Sequence, residues 1–452
     1  MTEALYDAVL QLAQDMGAAG LPAGAMAAIL SSTVAARAGE DAARAMLAGC
    51  LWEGGARGEA IVQMGEVAQR RVEPECRHAL AQMLLASGAR AEGEAVLAWL
   101  SARMPANANL HAARAAVLLR IAATAADPQA LAAARALGDE AIGARLVRSR
   151  QSLLDGDLEA GWAGMAWRLR DPGQPGIGAR QPHGPVERPD PASWRGRTVL
   201  FHGEAGHGDM IQCLRYVPMA RAAGAEVVLE VQPALVRLAR SVPGVGAVVG
   251  WGEAVPAHDV ALPMFHLPWA FRTVLGAIPY VAADPAEVAA WRARLSGLPG
   301  LKVGLAWAGD RRAGTVFEGM DAARSVPLAA LAPLGGVPGV SLVSLQLGEA
   351  SAQGRPEGMV LHDWTRELHD FADTAALMQA LDLVITVDTA CVHLAGALGR
   401  PVWLLNRHDT CWRWLRERAD SPWYPSLRIF RQAVQGEWGA VVEEVRKQVV
   451  LF

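Results

Sequence analysis

The stretch VITVDTACVHLAGALGRPVWLL, residues 384–405, decides how the second half of the chain is read. An apolar run, VITV, ends on Asp388-Thr389; a small-residue segment follows, closed by Gly399 and Pro401; a second apolar run, PVWLL, comes next. Thr389 is a good N-cap and the Gly399/Pro401 pair a good stop, so the pattern predicts strand, helix, strand. The free N–H groups and positive dipole end where that helix starts make an anion site. His393 lies four residues past Thr389, on the same face, and helical side chains lean toward the N-terminus, which tilts the imidazole toward a bound phosphate. The competing reading makes His393 a satisfied packing histidine. Asp388 does not suit a bare phosphate; its carboxylate must bind backbone N–H groups, organise Thr389 or meet a sugar hydroxyl.

Working outward, two series of strands alternate with helices. The first holds RTVLFHG from Arg197, a helix DMIQCLRYVPMARAAG, AEVVLEV and further strand candidates; the second starts near residue 300 with KVGLAWAG and runs through VSLVSLQ and LVITV to PVWLL. Such alternation implies parallel sheets. Two series of about 100 residues each predict two Rossmann-like domains facing one another, at 197–297 and 298–415, with ligands beyond the carboxyl ends of the strands. Residues 416–452 are expected to form a helical segment that packs back across both. Trp412, Trp414, Trp423 and Tyr424 are expected to pack that final helix.

Residues 1–165 read differently. They are rich in Ala, Leu, Glu and Arg, and their apolar residues recur at three and four, the helical period. GARGEAIVQM from Gly55 echoes GARAEGEAVLAWL from Gly88, and Gly54, Gly88 and Gly156 fall on a period near 34 residues, as in tetratricopeptide repeats. Asp127-Pro128 interrupts one unit, and a helical bundle without true repeats is the alternative. Stacked helix pairs present a concave protein-binding surface. Residues 166–196 are a Pro/Gly-rich linker, while GWAGMAWRLR (161–170) closes the last repeat.

The totals narrow the class. The chain has 452 residues, 52% hydrophobic and 19% charged, with a net charge of −4. That excludes disorder and makes nucleic acid a poor partner. Five cysteines (50, 76, 213, 391 and 411) form no CxxC pair, as expected of reduced thiols in the cytoplasm. The first residues lack a basic signal-peptide start, and apolar stretches break before the roughly 18 to 20 residues of a membrane span.

The segment 384–405, with DFADTAALMQALDLVITVDT before it and DSPWYPSLRIFRQ after it, resembles the donor-binding segment of heptosyltransferase-like glycosyltransferases of the GT-B fold. More closely, the chain resembles bacterial proteins that join tetratricopeptide repeats to such a transferase, some of which glycosylate flagellin. The resemblance implies a fold class of α/β with an all-α N-terminal domain: TPR-like helical repeats followed by a GT-B fold. It implies an inverting, metal-independent enzyme that moves a sugar from a nucleotide-sugar donor to a hydroxyl, with a protein acceptor recruited by the helical repeats. No cofactor and no metal are expected, and no membrane span.

The family's Gly-Asp pair, opening the first helix with a Pro a few residues on, corresponds to Gly208-Asp209 and Pro218; the resemblance assigns Asp209 as general base. Physically, an Asp at a helix N-terminus is held as the anion, and Gly203, Gly206 and Gly208 let an acceptor come close. An N-cap role for Asp209 is the plain alternative, and Glu204 is the rival base. The order G-x-x-G-x-G is not the dinucleotide fingerprint, so a nicotinamide cofactor is disfavoured. His202 and His207 lack a third ligand for a metal. In the second domain the family's Trp, Gly-Asn, basic loop and Arg-Ser-Pro-Leu correspond to Trp307, Gly309-Asp310, Arg311-Arg312 and Arg324-Ser325. Asp310 departs from the pattern. Arg324 is expected to clamp the diphosphate, and Gln346, at the end of its strand, to read the base. Donor binding is thus expected from Asp388, Thr389, His393, Arg324, Gln346 and Trp307. Two other readings stay open: a non-catalytic repeat scaffold carrying a relic transferase domain, and a nucleotide-sugar epimerase or hydrolase on the same fold.

Overall fold

The computed structural model describes residues 2–18, 23–37, 39–71, 74–104, 114, 118, 133, 142–170, 187–272, 276–310 and 318–452. Asp127-Pro128, most of the linker and the Arg311-Arg312 loop lie outside the described residues. The chain divides into two compact units, Met1–Arg148 and Ser149–Phe452.

The first unit is helical: α1 (Glu3–Ala18), α2 (Ala23–Ala36), α3 (Asp41–Glu53), α4 (Arg57–Arg70), α5 (Pro74–Ala86) and α6 (Arg90–Arg103). Their apolar faces meet in small cores, Tyr6 with Leu30 and Leu47, Ala48 with Met64 and Val67, and Ala81 with Leu97 and Leu100. Local backbone geometry explains the sequence echo. Gly55 and Gly88 have φ of +84° and +90°, a conformation only glycine adopts without strain. Each ends its helix in a Schellman turn, with Ala56 N–H donating to Leu51 C=O and Ala89 N–H to Leu84 C=O, both at 2.9 Å. The repeating glycine is therefore Gly55, and its neighbour Gly54, expected in that role, keeps a right-handed φ of −73°.

The same turn recurs in the second unit between α7 (Ile142–Leu154) and α8 (Leu158–Met165), where Gly156 has φ +88° and Asp157 N–H donates to Ser152 C=O at 2.9 Å. Five residues past each left-handed glycine stands a small residue: Ala60, Gly93 and Gly161. A Cβ on Gly93 would lie 2.6 Å from Leu85, and one on Gly161 2.5 Å from Leu153, so paired helices touch backbone to leucine. Both ends of the expected linker are packed: Arg168 is buried, and Trp194 sits against Phe201 and Phe271 with ring centroids 5.7 Å away in each case.

Two parallel sheets follow. The first contains β1 (Thr198–His202), β2 (Glu226–Val231), β3 (Val245–Gly250) and β4 (Val260–Pro263) in the order β3-β2-β1-β4. The second contains β5 (Leu301–Ala306), β6 (Val340–Ser344), β7 (Leu361–His362), β8 (Leu383–Val387), β9 (Val402–Asn406) and β10 (Leu427–Arg431) in the order β10-β9-β8-β5-β6-β7. Every residue of β8 is buried, as a strand covered on both faces must be. In each sheet the strand order reverses once, beside β1 and between β5 and β8, and the crevice at such a reversal is where open α/β sheets bind ligands. This is the expected architecture: helical repeats, then two Rossmann-like halves in the GT-B arrangement.

The helices that matter for the site are α9 (His207–Cys213), α10 (Pro285–Leu295), α11 (Phe371–Ala380), α12 (Ala390–Ala397) and α13 (Gly439–Val449). Two expectations change at the C-terminus. The second sheet continues past residue 415 to β10. Helix α13 buries Val441, Val442, Val445 and Val449 in one core with Leu305, Ile385 and Leu405, so it packs on the second sheet and not back across both halves. Its apolar residues at i, i+1, i+4 and i+8 make the stripe that this burial needs.

Candidate functional site

The glycine turn after β1 leads into α9, and the Asp388-Thr389 turn after β8 leads into α12. The two helix starts meet. A Cβ on Gly208 would lie 2.7 Å from His393 Cδ2 and 3.2 Å from Ala390 Cα, so glycine is what permits this approach. The turn after β8 is capped as read: Thr389 has an extended backbone, and its Oγ1 accepts from Cys391 N–H at 3.3 Å.

Asp209, in the first turn of α9, has a side chain 24% exposed. Its Oδ2 accepts from Gly206 N–H at 3.0 Å, closing the start of the helix. Its Oδ1 accepts from Arg413, a residue of the second half that sequence reasoning did not single out. Arg413 also donates to Gln212 Oε1 at 2.9 Å and to Cys411 Sγ at 3.2 Å, and its guanidinium lies 4.1 Å from the Trp412 ring centre. Burial works against the charge on Arg413, but Asp209, Cys411 and Asp388 outweigh it and hold the group cationic. Burial pushes the Cys411 thiol up, against the pull of Arg413.

The rival carboxylate is differently placed. Glu204 has a side chain 2% exposed, and both of its oxygens meet Arg168, with Nε–Oε2 at 2.7 Å and Nη2–Oε1 at 2.6 Å. Phe265 N–H also donates to it at 2.9 Å. This buried fork ties the turn at Ala166–Arg170 to the loop after β1, which is the closing role expected of residues 161–170. It leaves Asp209 as the accessible carboxylate of the glycine turn. His202 is buried, while the His207 ring lies tilted against Phe371 with ring centroids 5.1 Å apart and is shifted below its ordinary pKa by desolvation. Among the described residues, no three His, Cys, Asp or Glu side chains are grouped to hold a metal ion.

The expected donor residues divide. Asp388, Thr389 and Arg324 lie together: Arg324 donates to the Asp388 carbonyl at 3.0 Å and pairs with Asp321 at 2.8 Å. Its guanidinium lies over Gly309, where a Cβ would come within 2.5 Å, so the Gly of the Gly309-Asp310 pair makes room for the arginine. His393 is 3% exposed. Its Nδ1 shares a 2.9 Å hydrogen bond with the Tyr424 hydroxyl, and its ring stacks on Trp414 at 5.4 Å. Burial, with Arg413 and Arg215 nearby, holds the imidazole well below its ordinary value, so it is neutral. In this arrangement its ring joins the two halves and faces Trp414, Tyr424 and Gly208. Trp414 and Tyr424 thus pack around α12 and not around the final helix.

Gln346 and Trp307 are placed inside. The Gln346 amide accepts from Trp307 N–H at 2.9 Å and Ala308 N–H at 2.8 Å, and donates to Ala308 C=O at 3.1 Å and Leu347 C=O at 2.8 Å. All four bonding positions of the amide are occupied by backbone, so here Gln346 pins the loop after β5 and is not a free base-reading group. Trp307 is 1% exposed and belongs to the core under the sheet, where it acts as a packing residue.

Residues 369–432 match the family described as glycosyltransferase family 9 (heptosyltransferase). That segment runs from before α11 to just past β10 and contains Asp388, Thr389, His393 and Arg413. Protein FlbA of Caulobacter vibrioides is 34% identical over 173 residues, 35% of this chain and 27% of that protein. The chain therefore spans about a quarter of the length of the curated relative it matches. The solved glycosyl transferase family 9 from Veillonella parvula is 12% identical, covering 57% of this chain and 98% of its own, with a TM-score of 0.42. A tetratricopeptide repeat protein from Parabacteroides merdae is 12% identical, covering 36% of this chain and 66% of its own, with a TM-score of 0.32. The second unit is thus similar to glycosyltransferase family 9 over residues 369–432, and the chain is similar to FlbA over 173 residues.

Proposed function

We propose that the second unit is a metal-independent, inverting glycosyltransferase that uses a nucleotide-sugar donor. The observation that carries this is the meeting of Asp209, which follows β1 in the first half, with Arg413, which follows β9 in the second. A hydroxyl acceptor reaches Asp209 from the glycine turn. The carboxylate takes its proton while the oxygen attacks the anomeric carbon, and the bond to the donor phosphate breaks. A single displacement inverts the anomeric centre. Negative charge grows on the departing diphosphate, and Arg413, Arg324 and the N–H groups at the start of α12 are placed to balance it. The helical repeats recruit a protein whose Ser or Thr is the acceptor; flagellin is the candidate suggested by the resemblance. The cytoplasm is where the reaction takes place.

Transfer of label from a panel of nucleotide sugars to cellular protein tests the reading, with Asp209→Asn as control. Label that requires Asp209 supports it. Label that survives the substitution removes Asp209 as the base, and no label from any donor favours a scaffold. One observation speaks for that second reading: both Asp209 oxygens are already engaged, by Gly206 and Arg413, as in a structural cap.

A further inference from the structure

We infer that Arg413 changes partners during the reaction: it holds Asp209 until a donor diphosphate takes the guanidinium, and only then is Asp209 a competent base. This rests on the transferase reading above. Both Asp209 oxygens are taken, by Arg413 on one and Gly206 N–H on the other, so an acceptor hydroxyl finds no free oxygen until Arg413 lets go. A diphosphate carries more negative charge than one carboxylate and offers oxygens at the spacing of the guanidinium fork, so it competes well for the same arginine.

The surroundings of Arg413 suit such an exchange. Gln212 Oε1 and the Trp412 ring hold its stem and one edge, so the group turns without leaving its seat. The Asp388 carboxylate lies within electrostatic reach of it on the side of the second sheet, where the start of α12 already favours an anion. Arg150, exposed to solvent, adds a second positive charge within electrostatic reach of Arg413. The consequence is order. Donor binds first, the base is released, and an acceptor that arrives early meets a carboxylate already engaged.

A four-way comparison tests this with nucleoside diphosphates (ADP, UDP, GDP and CDP) titrated calorimetrically into the full chain. The proteins are wild type, Asp209→Asn, Arg413→Gln and the double variant, each checked for unchanged far-ultraviolet dichroism. The expected result is that Asp209→Asn binds the preferred diphosphate about tenfold more tightly than wild type, and Arg413→Gln at least tenfold more weakly. The Asp209→Asn gain vanishes when Arg413 is already Gln. A gain that persists in the double variant means simple repulsion by Asp209 and overturns the exchange. Binding by wild type with no gain in Asp209→Asn also overturns it, while leaving the donor site intact. No binding by any of the four proteins overturns the donor-site reading and this inference together. Where Arg413→Gln fails to fold, Arg413→Lys takes its place: it keeps the charge, loses the fork, and is expected to bind the diphosphate more weakly than wild type.

Discussion

Gly208 and His393 stand in direct contact across the two halves of the second unit: a methyl group on the glycine would sit 2.7 Å from the imidazole Cδ2. Nothing at this crossing is free to give way. On its far side the ring stacks on Trp414 and is bonded to Tyr424. Gly208→Ala is therefore expected to push α9 and α12 apart and destabilise the second unit by about 1–3 kcal/mol. Thermal unfolding followed by dichroism checks this; an unchanged midpoint would show that the helices tolerate the wider spacing.

The neutral, buried state of His393 has a pH signature. Burial lowers its pKa in the folded protein below the ordinary value of 6.5, and His266 is lowered in the same way, by burial and then by Arg168. Below the ordinary value the unfolded chain binds protons that the folded chain refuses. Stability contributed by these groups is present above that pH and is lost as pH falls through it, at a limiting slope of about 1.4 kcal/mol per pH unit for each imidazole. Urea midpoints measured from pH 7 down to pH 5 should fall. His393→Phe should be less stable at pH 7 yet fall less steeply, and an unaltered slope would count against the assignment.

Glu204 and Asp209 are told apart by what their removal damages. Breaking the buried Arg168–Glu204 pair leaves an uncompensated guanidinium, so Glu204→Ala should cost about 3–5 kcal/mol. What remains folded should keep its nucleotide affinity. Loss of affinity at unchanged stability would move Glu204 into the binding machinery.

Gln346→Leu removes four bonds to backbone and leaves the N–H groups of Trp307 and Ala308 unsatisfied. A cost of about 2–4 kcal/mol is expected, together with easier proteolysis of the loop after β5. A substitution that instead changes which nucleotide is preferred, at full stability, would restore Gln346 as a reader of the base.

Much of this architecture was legible because parallel strands buried on both faces are written as short apolar runs, and LVITV and TVLFH are such runs. Thr389 and Gly88 were legible because caps and left-handed turns demand particular residue types at fixed offsets, whereas the adjacent pair Gly54-Gly55 left the turn glycine one residue off. What stayed hidden depends on partners far away in the chain. Arg413 lies 204 residues from Asp209, in a Trp- and Arg-rich stretch without turn or cap chemistry; its one signal is that it follows a strand of the second sheet. Glu204 looked as reactive as Asp209 until Arg168 was placed beside it. His393 has the spacing of a phosphate ligand, but the spacing is equally that of a residue facing a neighbouring helix, and only packing distinguishes the two. Helix α13 carries an apolar stripe, and a stripe does not name the sheet it will cover.

In the proposed reaction the crevice between the two halves accepts a nucleotide sugar, and Asp209 activates the hydroxyl that attacks it. The most direct measurement is nucleotide-sugar turnover by the full chain with cellular protein offered as acceptor, comparing wild type with Asp209→Asn at equal occupancy by donor. A loss of about 100-fold or more in the rate of transfer is expected, with donor binding retained or tightened. Transfer at an undiminished rate by Asp209→Asn would contradict it.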